Sequence, residues 1–227
     1  MKNSIFTCTF LLIFTNICLS QCPTDLSLSY ATQYDIDTFK LKYPNCTNLI
    51  SISLSNSTTD PIRNLSGFSN IDSLQFDLNI YNQTELASLE GLEKLRTIGS
   101  LQISNCNKLQ NLSGLDNLRQ INGSLFISKI NNLTSLSGLK SLESIIYDID
   151  LNDLSALNDF QELHLLKNIN NLRIRNCSSL TELSGLENIE NVKASLTITD
   201  CSNLTSLSKL EKIKYIGSNF IISTTFH

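Results

Sequence analysis

Apolar residues recur along most of the chain with a long, regular period. Residues 101–124 read LQISNCNKLQNLSGLDNLRQINGS and residues 125–148 read LFISKINNLTSLSGLKSLESIIYD. Residues 172–195 (LRIRNCSSLTELSGLENIENVKAS) and residues 196 onward (LTITDCSNLTSLSKLEKIKYIGS) repeat the wording, so the period is 24. Residues 78–100 and 149–171 are 23-residue copies, and residues 52–77 are a longer first copy containing Thr59-Asp60-Pro61. Within a unit the apolar residues fall at positions 1, 3, 6, 9, 12, 15, 18 and 21. The first spacing is a strand's period of two, as in Leu101-Gln102-Ile103, whereas a repeat of three is too tight for a long amphipathic helix. Each unit therefore predicts a short strand followed by a coil or 3₁₀-like return. One such unit cannot bury its apolar stripe alone, so neighbours must stack. The expected fold is α/β or mainly β, a right-handed parallel β-solenoid of about six full turns.

Turn residues keep the same period. Gly67, Gly91, Gly114, Gly138 and Gly185 occupy position 14, and Gly99, Gly123 and Gly217 precede the next strand, which accounts for all eight glycines. None remains for a phosphate-cradling loop. Position 5 holds Asn82, Asn105, Lys129, Asp153, Asn176 and Asp200, mostly side chains able to bond turn backbone at a strand's end. Ahead of the repeats, Leu26-Ser27-Leu28 reads as a first strand. Thr32-Gln33-Tyr34-Asp35 resembles a capping box that opens a helix through Ile36 and Phe39 to Tyr43, and Pro44 ends it. This segment would cover one end of the stack. Phe220-Ile221-Ile222 reads as a last strand with an uncovered edge, open to end-to-end self-association.

The amino terminus reads as an address. Met1-Lys2-Asn3 is a short positive region, Ile5 to Ile17 is apolar, and Cys18-Leu19-Ser20 ends in small residues. Residues 1–20 are the expected signal peptide, cleaved near Ser20; the rival is a lipoprotein signal ending at Cys22, where the bulky Gln21 fits poorly. The organisation is then a cap over residues 21–51 and a solenoid over 52–227. No later stretch approaches the ~20 apolar residues needed to cross a bilayer, so no integral membrane span is expected. Of the remaining cysteines, Cys22 and Cys46 bracket the cap and are expected to pair in an exported protein. Cys106, Cys177 and Cys201 share position 6 with Ile130, Leu154 and Gln83, which favours buried free thiols; a second disulfide between Cys177 and Cys201, one repeat apart, stays geometrically open.

Composition narrows the chemistry. Leu, Ser, Asn and Ile number 39, 31, 26 and 25, yet the hydrophobic fraction is 41%, which excludes a disordered low-complexity chain. Charged residues are only 17%, the net charge is −4 and Trp is absent, so no nucleic-acid partner is indicated. Two histidines leave little for imidazole chemistry, and no metal site or cofactor is expected. Asp148, Asp150, Asn152 and Asp159 follow the skeleton of a calcium loop, but Asp153 stands where its Gly is required, and a strand would spread the ligands too far. Nine Asn-x-Ser/Thr sequons occur, several of them forced by the repeat's own wording.

The unit LxIxxNxxLxxLxGLxxLxxIxGS resembles the receptor L-domain branch of leucine-rich-repeat-like proteins. Gln21-Cys22-Pro23, with Tyr43-Pro44-Asn45-Cys46-Thr47 after a helix, is similar to the start of secreted bacterial surface proteins built from such repeats. The resemblance covers roughly residues 21–222 and implies an extracellular, secreted or surface-held solenoid.

Exposed strand positions 2 and 4 are the expected recognition face, because the flanking positions belong to the core. They run Asn79 and Tyr81, Gln102 and Ser104, Phe126 and Ser128, Asp150 and Asn152, Arg173 and Arg175, Thr197 and Thr199. Tyr81, Gln102, Phe126, Asp150, Arg173 and Arg175 are the candidate contacts, with Asp150 and Arg173 set as cross-strand neighbours for a surface ion pair. The expected function is a non-catalytic recognition module for a protein or glycan. The alternatives are a structural coat or adhesive element assembling end to end and, last, an enzyme around His164.

Overall fold

The computed structural model describes residues 22–23, 28–30 and 32–223. The expected leader over residues 1–20, and the start of the expected first strand at Leu26-Ser27, lie outside the described residues.

The period-two start of every copy becomes one rung of a parallel sheet of nine strands. In spatial order these are β1 (Leu28–Tyr30), β3 (Ile52–Leu54), β5 (Leu78–Tyr81), β7 (Leu101–Ser104), β9 (Leu125–Ser128), β11 (Asp148–Asn152), β13 (Asn171–Arg175), β15 (Leu196–Thr199) and β17 (Phe220–Ser223). Register follows the repeat without slippage: Leu78, Leu101, Leu125, Ile149, Leu172, Leu196 and Phe220 lie side by side. A one-residue slip would turn the apolar set outward, so burial fixes the alignment. The chain is a parallel β-solenoid of about seven turns, the longer first copy counting as a full turn.

The return path holds short second strands that a spacing of three does not reveal. One sheet comprises β2 (Asn48–Leu49), β4 (Ser73–Leu74), β6 (Thr97–Ile98), β8 (Gln120–Ile121) and β10 (Ser144–Ile145). A separate one comprises β12 (Asn168–Ile169), β14 (Asn191–Val192) and β16 (Tyr215–Ile216). Between the two walls the predicted apolar positions meet: Leu101, Ile103, Cys106, Leu109, Leu112, Leu115, Leu118 and Ile121 of one copy are all buried. Each fully buried Leu or Ile contributes about 2 kcal/mol, which only neighbouring copies make available.

The turn residues have two distinct jobs. Position 5 is left-handed in every copy from the second to the last full one, with φ near +55° at Asn82, Asn105, Lys129, Asp153, Asn176 and Asp200. Asn and Asp tolerate this conformation best, and Lys129 is the exception that bears the strain. Position 14 is a positive-φ glycine at Gly91, Gly114, Gly138 and Gly185. A 3₁₀ turn takes its place at Ser66–Phe68, around Gly67, and where position 14 is Glu162 or Lys209, at Gln161–Leu163 and Ser208–Leu210.

Before the solenoid, α1 (Gln33–Lys42) starts at Thr32, whose hydroxyl accepts from the Asp35 N–H while the Asp35 carboxylate accepts from Thr32, as the capping box predicts. The helix buries Ile36 and Phe39, and Phe39 packs with Tyr30 and Phe68 at centroid distances of 5.9 and 5.1 Å. The extra length of the first copy serves this contact. Buried Gln33 accepts from the Arg63 and Asn64 N–H groups at 2.7 and 3.2 Å, and the Asp60 carboxylate accepts from the Tyr34 N–H at 3.0 Å. Cys22 and Cys46 form the expected disulfide, with Cα atoms 4.9 Å apart. Among the described residues, no helix is long and apolar enough to cross a membrane.

Cys106, Cys177 and Cys201 are free and buried, so the bond left open between Cys177 and Cys201 is not formed. Their column points inward, and each thiol donates to a carbonyl at its own strand's end, Arg175 O for Cys177 and Thr199 O for Cys201. Burial pushes the Cys106 thiol up to about 11, which removes it from thiolate chemistry near neutral pH.

Candidate functional site

The outward positions of the nine-stranded sheet form two straight rows, because parallel in-register strands place equivalent residues side by side. In the first row Gln102, Phe126, Asp150, Arg173 and Thr197 are consecutive neighbours; in the second, Tyr81, Ser104, Ser128, Asn152, Arg175 and Thr199. All six sequence-derived contacts therefore share one face. Tyr81 and Gln102 are joined by a hydrogen bond from the phenol to Gln102 Oε1, while Phe126 flanks Asp150. Burial, then the Asp77 charge, raises the Tyr81 phenol above its ordinary range, so it stays protonated and a donor.

The charged residues are arranged differently from the simple cross-strand pair. Asp150 and Arg173 are register partners, but the ion pairs run diagonally, Arg173 to Asp148 at 2.9 Å and Arg175 to Asp150 at 2.9 Å. An arginine is too long to stop at the directly opposite carboxylate, so it leans along the strand to the Asp two positions back. Both Asp150 carboxylate oxygens accept from Arg175 Nη2, at 2.9 and 3.0 Å. Arg175 Nε is shielded without a partner, whereas the Arg173 and Arg175 side chains keep 34% and 42% of their surface open. The quartet thus presents oriented guanidinium donors that its own carboxylates hold still.

Asp148 is the residue that pattern reading undervalued. It is the first residue of β11, one ahead of the repeat's position 1 and outside positions 2 and 4, yet its carboxylate accepts from Asn171 at 2.8 Å, Asn170 at 3.0 Å and Arg173 at 2.9 Å. The signal was the length of the copy. In the 23-residue copies the corner loses one residue, and Asp stands one ahead of position 1 in each: the Asp77 carboxylate accepts from the Ser100 N–H at 2.9 Å, as Asp148 gathers Asn170 and Asn171. At 24-residue steps a Ser or Asn does this, Ser100 for the Ser124 N–H and Ser124 for the Asp148 N–H, both at 3.2 Å, and Asn171 for the Ser195 N–H at 2.9 Å.

Burial pushes the Asp148 carboxyl up, but the hydrogen bonds from Asn171, Asn170 and Arg173 outweigh it and hold it below the usual carboxylate range. A folded pKa below the unfolded one gives stability that is present above about pH 4 and lost as pH falls through the folded value. Asp148→Asn is expected to cost about 1 kcal/mol at neutral pH and to flatten the acid limb of the stability curve, as read by urea denaturation across pH. An unchanged acid limb would show that the carboxylate charge is immaterial there.

The remaining expectations find other places. Asp148, Asp150 and Asn152 are strung along β11, and Asp159 accepts instead from the Gln161 N–H at 3.1 Å, so the four do not converge. No group of three or more metal-ligating side chains occurs among the described residues. His164 is exposed beside a 3₁₀ turn, its Nδ1 2.9 Å from Gln161 O. No protein-family model matches the chain, and no curated protein or solved structure is significantly similar to it.

Proposed function

We propose that the chain is an exported, non-catalytic recognition module that binds a protein or glycan on the open face of its nine-stranded sheet. The observation that carries this reading is the paired quartet Asp148, Asp150, Arg173 and Arg175 lying beside Phe126. Surface ion pairs add little to stability, and on the other strands the two outward rows carry uncharged residues such as Gln102, Ser104, Phe126, Ser128, Thr197 and Thr199, so the sheet does not need charges there. A fixed arginine pair one strand away from an aromatic supplies the residue types that concentrate binding energy at interfaces. The Cys22–Cys46 disulfide supports an oxidising compartment, and the repeat wording supports kinship with receptor L-domain solenoids.

The test is capture on immobilised glycans and on proteins extracted from the native cell surface. A ligand held by the wild type is expected to be lost from Phe126→Ala/Arg173→Glu, whose fold should persist because both side chains face outward. A ligand retained by the double variant would move recognition off this face.

A second reading, end-to-end assembly, is favoured by the last rung. β17 has a strand on one side only among the described residues, and Tyr215, Phe220 and Ile221 are exposed there. Light scattering should then show mass rising with concentration, and a constant monomer mass would refute it.

A further inference from the structure

The second wall of the solenoid is broken at one step. At three other steps the position-19 carbonyl accepts two N–H groups from the next copy: Arg96 O from Arg119 and Gln120, Arg119 O from Glu143 and Ser144, Lys167 O from Glu190 and Asn191. Between β10 and β12 this seal is missing. The Glu143 and Ile145 carbonyls and the Lys167 and Asn168 N–H groups make no backbone hydrogen bond across the gap, whereas the corner bond is kept, the Asn170 N–H reaching Tyr147 O at 3.2 Å as the Gly99 N–H reaches Phe76 O at 2.7 Å. The cause is local. At the earlier 23-residue copy the corner residue is Gly99, where a Cβ would stand 2.6 Å from the Phe76 carbonyl carbon, so only glycine lets the rungs close. Asn170 carries that Cβ; its N–H still reaches the corner carbonyl, but the hydrogen bonds between the two short strands are not made.

The gap opens a cleft of about 420 Å³ lined by Glu143, Ile145, Ile146, Leu165, Lys167 and Lys193, among others. Its lysines outnumber its carboxylate, Lys167 and Lys193 against Glu143. Down this column signs alternate and pair, Arg119 with Glu143 at 2.8 Å and Lys214 with Glu190 at 2.6 Å. Lys167, next in line after Glu143, is separated from it by the break. Neither Lys167 nor Lys193 has an ion pair among the described residues, while the Glu143 charge is already spent on Arg119. The cleft therefore combines two ammonium groups without a close ion pair, two N–H donors and two carbonyl acceptors without a backbone hydrogen bond across the gap, and the exposed apolar surface of Ile146 and Leu165.

We infer that this cleft binds a single carboxylate-bearing sugar. The ammonium groups and N–H donors take the carboxylate, and hydroxyls, which both donate and accept, satisfy the carbonyls that a simple anion would leave bare. The volume lies at the small end of ligand sites and suits one pyranose, whose C–H face rests on Ile146 and Leu165. The site is separate from the sheet face and does not rest on the recognition reading above.

The experiment is an amide NMR titration of the full chain with methyl β-D-glucuronide, methyl β-D-glucoside and acetate. Saturable shifts at the Lys167 and Asn168 amides are expected with the glucuronide, with about tenfold weaker binding of the other two. Lys167→Glu/Lys193→Glu should lose at least about tenfold in affinity, and Arg173→Glu, on the sheet face, should lose none. An equal response to acetate would make the cleft a general anion site and overturn the sugar assignment. Shifts confined to the nine-stranded sheet, or no saturation by roughly tens of millimolar, would overturn the site itself.

Discussion

Gly138→Ala is expected to destabilise the protein by about 3 kcal/mol or more, read from the midpoint of urea denaturation. Gly138 has φ +112°, and a Cβ there would stand 2.0 Å from the carbonyl oxygen of Leu112 in the preceding copy. That atom is backbone and cannot rotate away. The two copies are clasped at this point, since the Leu112 N–H donates to Ser137 O at 2.7 Å, so relieving the clash stretches a bond that joins adjacent turns. Strain from the left-handed backbone and the lost inter-turn bond act together. The chain has one escape, the 3₁₀ turn seen at Gln161–Leu163 where position 14 is Glu162, and taking it would require repacking Leu136 and Leu139. Gly123→Ala is the control. There the added Cβ would meet Ser100 Oγ at 2.1 Å, a side chain that can turn aside at the loss of its hydrogen bond from the Ser124 N–H, and would come only marginally close to backbone, at 2.9 Å from Gly99 O, so a smaller loss of about 1–2 kcal/mol is expected. If the two variants lost the same amount, position 14 would not be the point that sets the spacing between turns.

The contrast between these glycines shows which features the sequence makes legible. Whatever recurs every copy, such as Leu101 and Ile103 inside or Gly114 and Gly138 at position 14, is written several times and read with little ambiguity. Features present once are hidden by the same regularity. The two-residue strands of the second wall are too short to show alternation, so Gln120–Ile121 and Ser144–Ile145 look like coil. The break after β10 falls at a 23-residue copy whose corner is Asn170 where the earlier one has Gly99, a conjunction visible only once the partner rung is known. The diagonal pairing of Arg173 and Arg175 has the same origin: register places Asp150 opposite Arg173, but side-chain length decides which carboxylate is reached. The left-handed state of position 5 was half legible. Asn and Asp there point to turn chemistry, whereas Lys129, with φ +55°, conforms only because its neighbours on either side impose the turn.

Removing the cap disulfide with Cys22→Ser/Cys46→Ser is expected to cost about 3 kcal/mol, the loop-closure value for a separation of 24 residues. How that loss is distributed is the more telling measurement. A solenoid couples each turn mainly to its neighbours, so a defect at one end should be felt there and fade along the stack. The cap is held by three independent means: the disulfide, the Gln33 and Asp60 hydrogen bonds into residues 60–64, and the packing of Ile36 and Phe39 against Phe68. Because the last two survive in the variant, α1 should stay folded but open more often. Hydrogen exchange should accelerate in α1 and at β1, β3 and the 3₁₀ turn Ser66–Phe68, while amides from β9 to β15 keep their protection. Uniform acceleration along the whole chain would mean that the turns unfold as one unit and that the cap controls the stability of every rung, including the distant strands that carry Asp150 and Arg173. Local acceleration would instead leave those strands rigid when the cap breathes, as a binding face built on them requires.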